Sequence, residues 1–264
     1  MHMIKFFRRI RQNLLSEGKT GKYFKYAIGE IVLVVIGILI ALSINNWNEA
    51  RKERAKEINY LKNLKIDLLN EVKNSEHFAT YHFQKAENCS SLLNSVEPST
   101  MEDVQDYTNK YETVFMWKTF VPNNNTFKEL LSSGNLSLIK NDAIKNGMLE
   151  LDKIYADISS SEYHMRREYE EYLYDVHVKN ISAISFFDMN KPTYGIPNRL
   201  TIKDIPESMH KKMIEDAQWQ HHNDIFKNGL RLAFMNNSFI AGKHKNLLLF
   251  INELIQLIDE EIKK

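Results

Sequence analysis

The chain has 264 residues, with 35 Lys or Arg against 34 Asp or Glu, so its formal net charge at pH 7 is +1. The first 47 residues hold seven of the basic residues and two of the acidic ones, which leaves a net charge of −4 on the remainder. That charge excludes a nucleic-acid-binding role for the remainder. The single cysteine, Cys89, excludes an intramolecular disulfide, and its place in a helical pattern predicts a small buried residue.

An apolar run from Ala27 to Trp47 is the clearest feature of the sequence. Residues 31–42 contain nothing polar, and residues 27–44 would extend ~27 Å as a helix, about the thickness of one hydrocarbon core. Aromatic residues flank the run at both ends, where amphipathic rings prefer the boundary between lipid and water. The run therefore predicts a membrane-spanning helix over residues 27–47, in preference to a buried helix of a soluble protein.

A cleaved signal peptide is the alternative to this anchor. Ala41, Leu42 and Ser43 place small residues at the spacing of a cleavage site, so the chain would be cut after Ser43. However, the 26 residues before the run have a helical pattern of their own, and a second helical pattern follows Leu42 directly. These patterns favour an uncleaved anchor.

The orientation of the anchor is predicted from charge. Residues 1–26 carry seven cationic side chains against one acid, Glu17, so this segment should stay in the cytoplasm. The expected location is the cytoplasmic (inner) membrane, crossed once, with residues 48–264 in the periplasm.

The cytoplasmic head has an amphipathic pattern. Ile4, Phe7, Ile10 and Leu14 recur at helical spacing with cations between them, as in a helix that lies at the membrane surface. An ordinary basic flank would satisfy the same topology, and both interpretations stay open. The residues predicted at the membrane interfaces are Phe7, Arg8, Arg9, Arg11, Tyr23, Tyr26 and Trp47.

Two features lie inside the predicted span. Glu30 sits about one turn from its cytoplasmic end, and an acid inside a membrane is a functional candidate. At this depth it can also reach the headgroups, which favours a structural role. Gly29, Gly37 and Ala41 share one i, i+4 row, and small residues admit a close neighbouring helix. This row predicts a parallel homodimer.

Two blocks of sequence resemble a known family. Residues 3–49, MIKFFRRIRQNLLSEGKTGKYFKYAIGEIVLVVIGILIALSINNWNE, and residues 126–141, TFKELLSSGNLSLIKN, are similar to an uncharacterised family of membrane-anchored proteins of Bacteroidota, a domain of unknown function. The resemblance implies a bacterial inner-membrane protein with an extracytoplasmic helical domain. It implies no activity, ligand or catalytic residue.

The exported part begins with a predicted helical stalk over residues 48–97, which Pro98 ends. Its apolar positions follow alternating spacings of three and four, as in an imperfect coiled coil. Ser99 is a candidate cap for a helix over residues 100–113, and Thr126 for a helix over residues 127–132. The positions of this seam are Ile58, Leu61, Lys65, Leu68, Val72, Ser75, Ala79, His82, Ala86, Cys89, Leu93 and Val96.

Residues 98–264 are predicted to form a helical bundle, so the fold class is all-α throughout. After Asn141, apolar and aromatic residues recur at α-helical spacing in a second stripe. Glu162 is the one position of this stripe that breaks the pattern. Residues 185–206 hold four of the Pro and Gly residues and are predicted to be non-helical. A last helix or helix pair follows from Trp219 to Ile258. The members of the second stripe are Met148, Leu151, Tyr155, Ile158, Met165, Tyr169, Tyr172 and Val176.

The histidines raise the possibility of a metal site. Glu207-x-x-His210 has the spacing found twice in di-iron bundles, but it occurs alone, and His164 with Glu168 supplies only two ligands. His221, His222 and Asp224 cannot all face one side of a helix. No metal, cofactor or catalytic residue is predicted.

Two classes of function remain open. The favoured one is a membrane-anchored interaction, scaffold or sensing protein, whose partners are the lipid bilayer and a protein or a second copy of the chain. The alternative is a hydrolase-like enzyme whose residues form no recognisable motif. The ligand is unknown.

Overall fold

The computed structural model describes residues 20–182 and 185–264, apart from the side chains of residues 20, 22 and 23. Most of these residues are helical, and the described ranges contain one isolated antiparallel bridge, between Phe187 and Arg199, and no strand. The predicted all-α class is confirmed. The helices are α1 (Thr20–Leu93), α2 (Met101–Phe115), α3 (Asn125–Ser132), α4 (Asp142–Tyr169), α5 (Asp175–Asn180), α6 (Glu207–His222) and α7 (Asp224–Lys263).

The chain divides into two compact units, Met1–Asn59 and Tyr60–Lys264. In the first unit, the part of α1 that starts at Phe24 is long and apolar enough to cross a membrane. Every Val, Ile and Leu side chain from Ile28 to Ile44 is between 48% and 67% exposed. Since exposed aliphatic surface of this extent is unfavourable in water, this segment is a candidate membrane span.

The second unit contains the rest of α1, and the predicted seam describes its buried face. Leu61, Leu68, Ala79, Ala86 and Cys89 are all buried, as the three-four spacing predicts. The burial of Cys89 is therefore confirmed.

The end of α1 differs from the prediction that Pro98 ends the helix. The helix ends at Leu93, and Val96 is 90% exposed. The side chains of Asn94 and Ser95 donate to the carbonyls of Ser90 and Leu92, at 2.8 Å each. The Ser90 carbonyl also accepts the helical N–H of Asn94 at 3.1 Å, whereas the Leu92 carbonyl accepts the N–H of Ser95 at 3.3 Å, a tighter bond of the kind found at helix ends.

Two helix starts also differ in detail from the prediction. The N-cap of α2 is Thr100, in a capping box with Asp103, while Ser99 adds two further hydrogen bonds to that carboxylate. Helix α3 begins at Asn125, and the N–H of Thr126 donates to Asp67 of α1 at 2.8 Å. The cap expected from Thr126 is therefore supplied by an acid on another helix.

Two apolar clusters form the interior of the second unit. The first joins the middle of α1 to α3, the first half of α4 and the C-terminal half of α7. The second joins the end of α1 to α2, α6 and the N-terminal part of α7. Thus α1 and α7 contribute to both clusters, at different points along their lengths.

A π-helical turn, Glu170–Tyr174, separates α4 from α5 and changes which side chains face inward. The extra residue of a π turn rotates the next part of the helix, so the predicted stripe is wrong at Tyr172, whereas its last member, Val176, is partly buried against the second apolar cluster. Tyr172 is 38% exposed, and Leu173 is fully buried in its place. Gly229 of α7 lies against the turn: a Cβ on it would lie 2.7 Å from the carbonyl oxygen of Tyr172.

The predicted non-helical segment after α5 is confirmed in the part of it that the structure describes. Apart from a 3₁₀ turn at Ile202–Asp204, residues 185–206 contain no helix. The N–H of Leu200 donates to the carbonyl of Phe186 at 2.7 Å, and Gly195 has a φ of 103°, which favours glycine. Phe186 is fully buried, so it fixes the segment to the second apolar cluster.

Candidate metal centre

Three buried titratable side chains from different helices meet in the second unit. His82 comes from α1, Glu162 from α4 and His244 from α7, and each is at most 3% exposed. One candidate ligand atom from each lies within 4.8 Å of the others. On each helix the residue falls between the two apolar clusters. We refer to these three residues as the His–Glu–His site.

Asn237 determines where the hydrogen of His82 lies. Its Nδ2 atom donates to the carbonyl of Ala233 at 2.7 Å, so its Oδ1 atom faces His82 Nδ1 at 2.8 Å. Because that oxygen only accepts, His82 Nδ1 carries a hydrogen. In the neutral ring Nε2 then holds a lone pair, which lies 3.6 Å from Oε1 of Glu162.

Only one carboxylate oxygen of Glu162 accepts a hydrogen bond from the described residues. Its Oε2 atom accepts the backbone N–H of Phe120 at 3.1 Å. Its Oε1 atom has no hydrogen-bond donor among the described residues, and neither does His82 Nε2. When His82 is neutral, two electron-rich atoms therefore face each other in the interior.

His244 is the least satisfied member of the site. Both ring nitrogens lack a hydrogen-bond partner within the part of the chain that the structure describes. Its ring stacks on Phe78 at 5.6 Å between centroids and meets the edge of Phe120 at 4.9 Å. Burial, with a smaller contribution from His82, lowers the pKa of His244 to about 4, so the ring is neutral at physiological pH.

The arrangement lacks a positive charge at its centre. A buried polar atom without a partner costs about 1–3 kcal/mol, and four such atoms lie in the site. A cation between His82 Nε2 and Glu162 Oε1 would remove the repulsion between them, and that cation can be a proton or a metal ion. Two imidazoles and one carboxylate form a donor set that suits transition metals such as zinc, iron or manganese.

The site is closed to solvent. Two surface grooves of about 340 and 330 Å³ occur in the second unit. One follows the end of α1 and the start of α2, and the other lies between α2 and residues 185–187, so neither includes the His–Glu–His site. His82, Glu162 and His244 are each at most 3% exposed, and burial of this extent suits retention of a small bound ion.

Lys85 lies one turn beyond His82 on α1 and is itself only 1% exposed. Its Nζ atom donates to the carbonyl of Met116 at 2.7 Å and lies within 6 Å of the ring centroids of Tyr81, Trp117 and Tyr169. Burial lowers the pKa of Lys85 to about 8, although the charge of Glu162 acts in the opposite direction. This lysine is a second buried charged group beside the site.

The predicted interface and anchor residues belong to the first unit, and the His–Glu–His site belongs to the second. Apart from chain neighbours and the backbone of α1 itself, no described atom lies within 4 Å of a Cβ added to Gly29 or Gly37, and Ala41 is exposed. Tyr26 and Trp47 are exposed, and Arg51 lies over the Trp47 ring at 5.4 Å. Glu30 is half-buried. Phe7, Arg8, Arg9, Arg11 and the side chain of Tyr23 lie outside the described residues.

The histidines whose spacing in the sequence raises the possibility of metal binding lie elsewhere. His164 pairs with Glu168 at 3.0 Å on the surface of α4. His222 contacts Glu97 at 3.0 Å, and His210 lies 3.1 Å from the carbonyl of Ile205. Among the described residues, the His–Glu–His site is the one group of three such ligands.

Sequence patterns alone do not assemble the His–Glu–His site. The periodicity places His82 in a seam of apolar positions and makes Glu162 the single break in the stripe of α4, and it does not single out His244. When two helices each carry a polar residue at a position of the apolar stripe, this indicates a buried polar contact. Applied to both helices, that signal identifies two of the three residues.

These features define an all-helical protein with one candidate membrane span and a buried His–Glu–His site. A family of unknown function, DUF6090, matches residues 30–238, and the chain belongs to this family. No curated protein and no solved structure shows significant similarity to the chain.

Proposed function

We propose that this chain is a membrane-anchored sensing protein of a bacterium of the Bacteroidota. The anchor spans the cytoplasmic membrane at residues 27–47, residues 1–26 stay in the cytoplasm, and residues 48–264 face the periplasm. The helical domain binds a small ligand in its core and contacts a partner protein.

The buried His–Glu–His site is the observation that carries the proposal. Its unpaired acceptors favour the binding of a cation, and its burial suits retention of a small bound ion. The continuous exposed aliphatic surface from Ile28 to Ile44 supports the anchor, and the basic head supports its orientation. Hydrolase or phosphatase activity that a single substitution abolishes would instead favour an enzyme.

Reporter fusions test the topology. Alkaline phosphatase fused after Lys264 should be active in a bacterial host, because residues 48–264 are expected in the periplasm, where that enzyme folds. β-Galactosidase fused at the same position should be inactive, because it is active only in the cytoplasm. A stable but inactive phosphatase fusion at Lys264 would show that the orientation is reversed.

Disulfide crosslinking tests the predicted parallel homodimer. Cysteine placed at Gly37 or Ala41, in a Cys89→Ala background, should crosslink in native membranes, because small residues allow two anchors to approach closely. Cysteine at Val35, on another face of the same helix, is the matched control and should crosslink much less. Equal background crosslinking at all three positions would contradict a dimer through this face.

A further inference from the structure

We propose that His82, Glu162 and His244 together bind one divalent transition-metal ion of the Zn²⁺ class in the interior of the second unit. The inference rests on the proposed function, since it names the ligand that the sensing domain binds.

The hydrogen bonds of the site favour a cation over an anion. Asn237 holds His82 with its Nε2 lone pair toward Oε1 of Glu162, so two acceptors converge at 3.6 Å. A tetrahedral ion with bonds of ~2.1 Å places its ligand atoms ~3.4 Å apart. The separation of this pair is therefore close to the one that such an ion requires, and the third ligand atom, on His244, lies within 4.8 Å of both.

His244 distinguishes a metal ion from a proton. A proton shared by His82 and Glu162 would satisfy these two residues and leave both nitrogens of His244 without a partner. A metal ion uses the lone pair of one His244 nitrogen as its third ligand. A metal ion therefore accounts for the convergence of all three side chains, whereas a shared proton accounts only for that of His82 and Glu162.

The donor set also indicates the class of metal. Two imidazole nitrogens with one carboxylate oxygen favour zinc and similar transition metals over Mg²⁺ and Ca²⁺, which prefer oxygen ligands. The surrounding contacts have the form of a second coordination shell: Asn237 accepts from the distal nitrogen of His82, and the N–H of Phe120 holds the distal oxygen of Glu162. Three protein ligands leave a fourth position for water or a further group.

The test uses the full chain, purified in detergent and stripped of metal with a chelator. Titration with Zn²⁺ should show one bound ion per chain and a rise in unfolding temperature, because the ion binds the folded state. Mg²⁺ in parallel should show neither effect. Failure of the wild-type chain to retain Zn²⁺ at one per chain would overturn the proposal.

Glu162→Gln is the decisive variant, with Glu168→Gln on the same helix as its matched control. The new amide still accepts the Phe120 N–H and can donate to His82 Nε2, so the variant should fold with an unfolding temperature, without metal, at or above that of the wild type. Its Zn²⁺ affinity should fall at least ~100-fold, while Glu168→Gln should bind as the wild type does. Wild-type affinity in Glu162→Gln, or an equal loss in both variants, would overturn the site.

The two proposals fail in different ways. If the phosphatase fusion at Lys264 is active and the purified chain binds no Zn²⁺, the topology stands and the metal site is wrong. If the chain binds Zn²⁺ at one per chain and the phosphatase fusion is inactive, the metal site stands and the periplasmic placement is wrong.

Discussion

Gly229→Ala is expected to lower the free energy of unfolding by about 2–3 kcal/mol. Helix α7 approaches the π turn closely at this position, and an added Cβ would lie 2.7 Å from the carbonyl oxygen of Tyr172 and 2.8 Å from Cδ2 of Leu173. The first of these atoms belongs to the backbone and cannot move without shifting the turn. Urea unfolding of the full chain in detergent, followed by tryptophan fluorescence, measures the effect.

Gly242→Ala is the control for this substitution, because it lies in the same helix and, apart from its chain neighbours and the backbone of that helix, no described atom lies within 4 Å of its Cβ position. Alanine is favoured over glycine in a helix by about 1 kcal/mol, so this variant should be more stable than the wild type. The same chemical change is thus expected to have opposite signs at two positions of α7. Equal effects at both positions would show that α7 does not approach the π turn closely.

Lys85→Met is expected to remove a pH dependence from the stability of the protein. The folded-state pKa of Lys85 is lowered to about 8 from an ordinary value of 10.5, so in this interval the unfolded chain binds more protons than the folded one. The penalty for burying the charge is complete below pH 8 and disappears as the pH rises to 10.5. At ~1.4 kcal/mol per pKa unit, wild-type stability should gain about 3 kcal/mol relative to the variant across this window.

The comparison between the two proteins isolates Lys85 from its neighbours. Tyr81 and Cys89 on α1, together with Glu162 and Tyr169 on α4, are the titratable groups around it. They are present in both proteins, so their own titration largely cancels in the difference. Chemical unfolding at pH 7, 8.5 and 10 measures the difference, and a constant value would contradict a lowered pKa of Lys85.

Periodicity predicted the buried faces of the long helices as far as the helices stay regular. The three-four spacing located Leu61, Leu68 and Cys89 because a buried stripe on a helix depends on local geometry alone. The same reasoning gave the wrong residue after Tyr169, since one extra residue in the π turn rotates the helix and buries Leu173. No simple pattern in the sequence marks that insertion.

The His–Glu–His site depends on information that local patterns do not contain. Its three ligands lie on three helices far apart in the chain, and packing of α4 against α7 beside α1 brings them together. Motifs with short spacing, such as the surface pair of His164 and Glu168, were easier to find and lie elsewhere. The sequence shows that His82 and Glu162 interrupt apolar stripes, but it does not show which side chains they meet in the interior.

The separation of the interior into two apolar clusters has a consequence for how the second unit opens. Each cluster excludes water by itself, and a polar layer with unpaired atoms lies between them. Cooperative unfolding follows continuous apolar packing, and it is weakest where that packing is interrupted. We therefore expect the two ends of the unit to open as separate cooperative segments, so that amide protons at one end exchange with solvent while the other end stays closed.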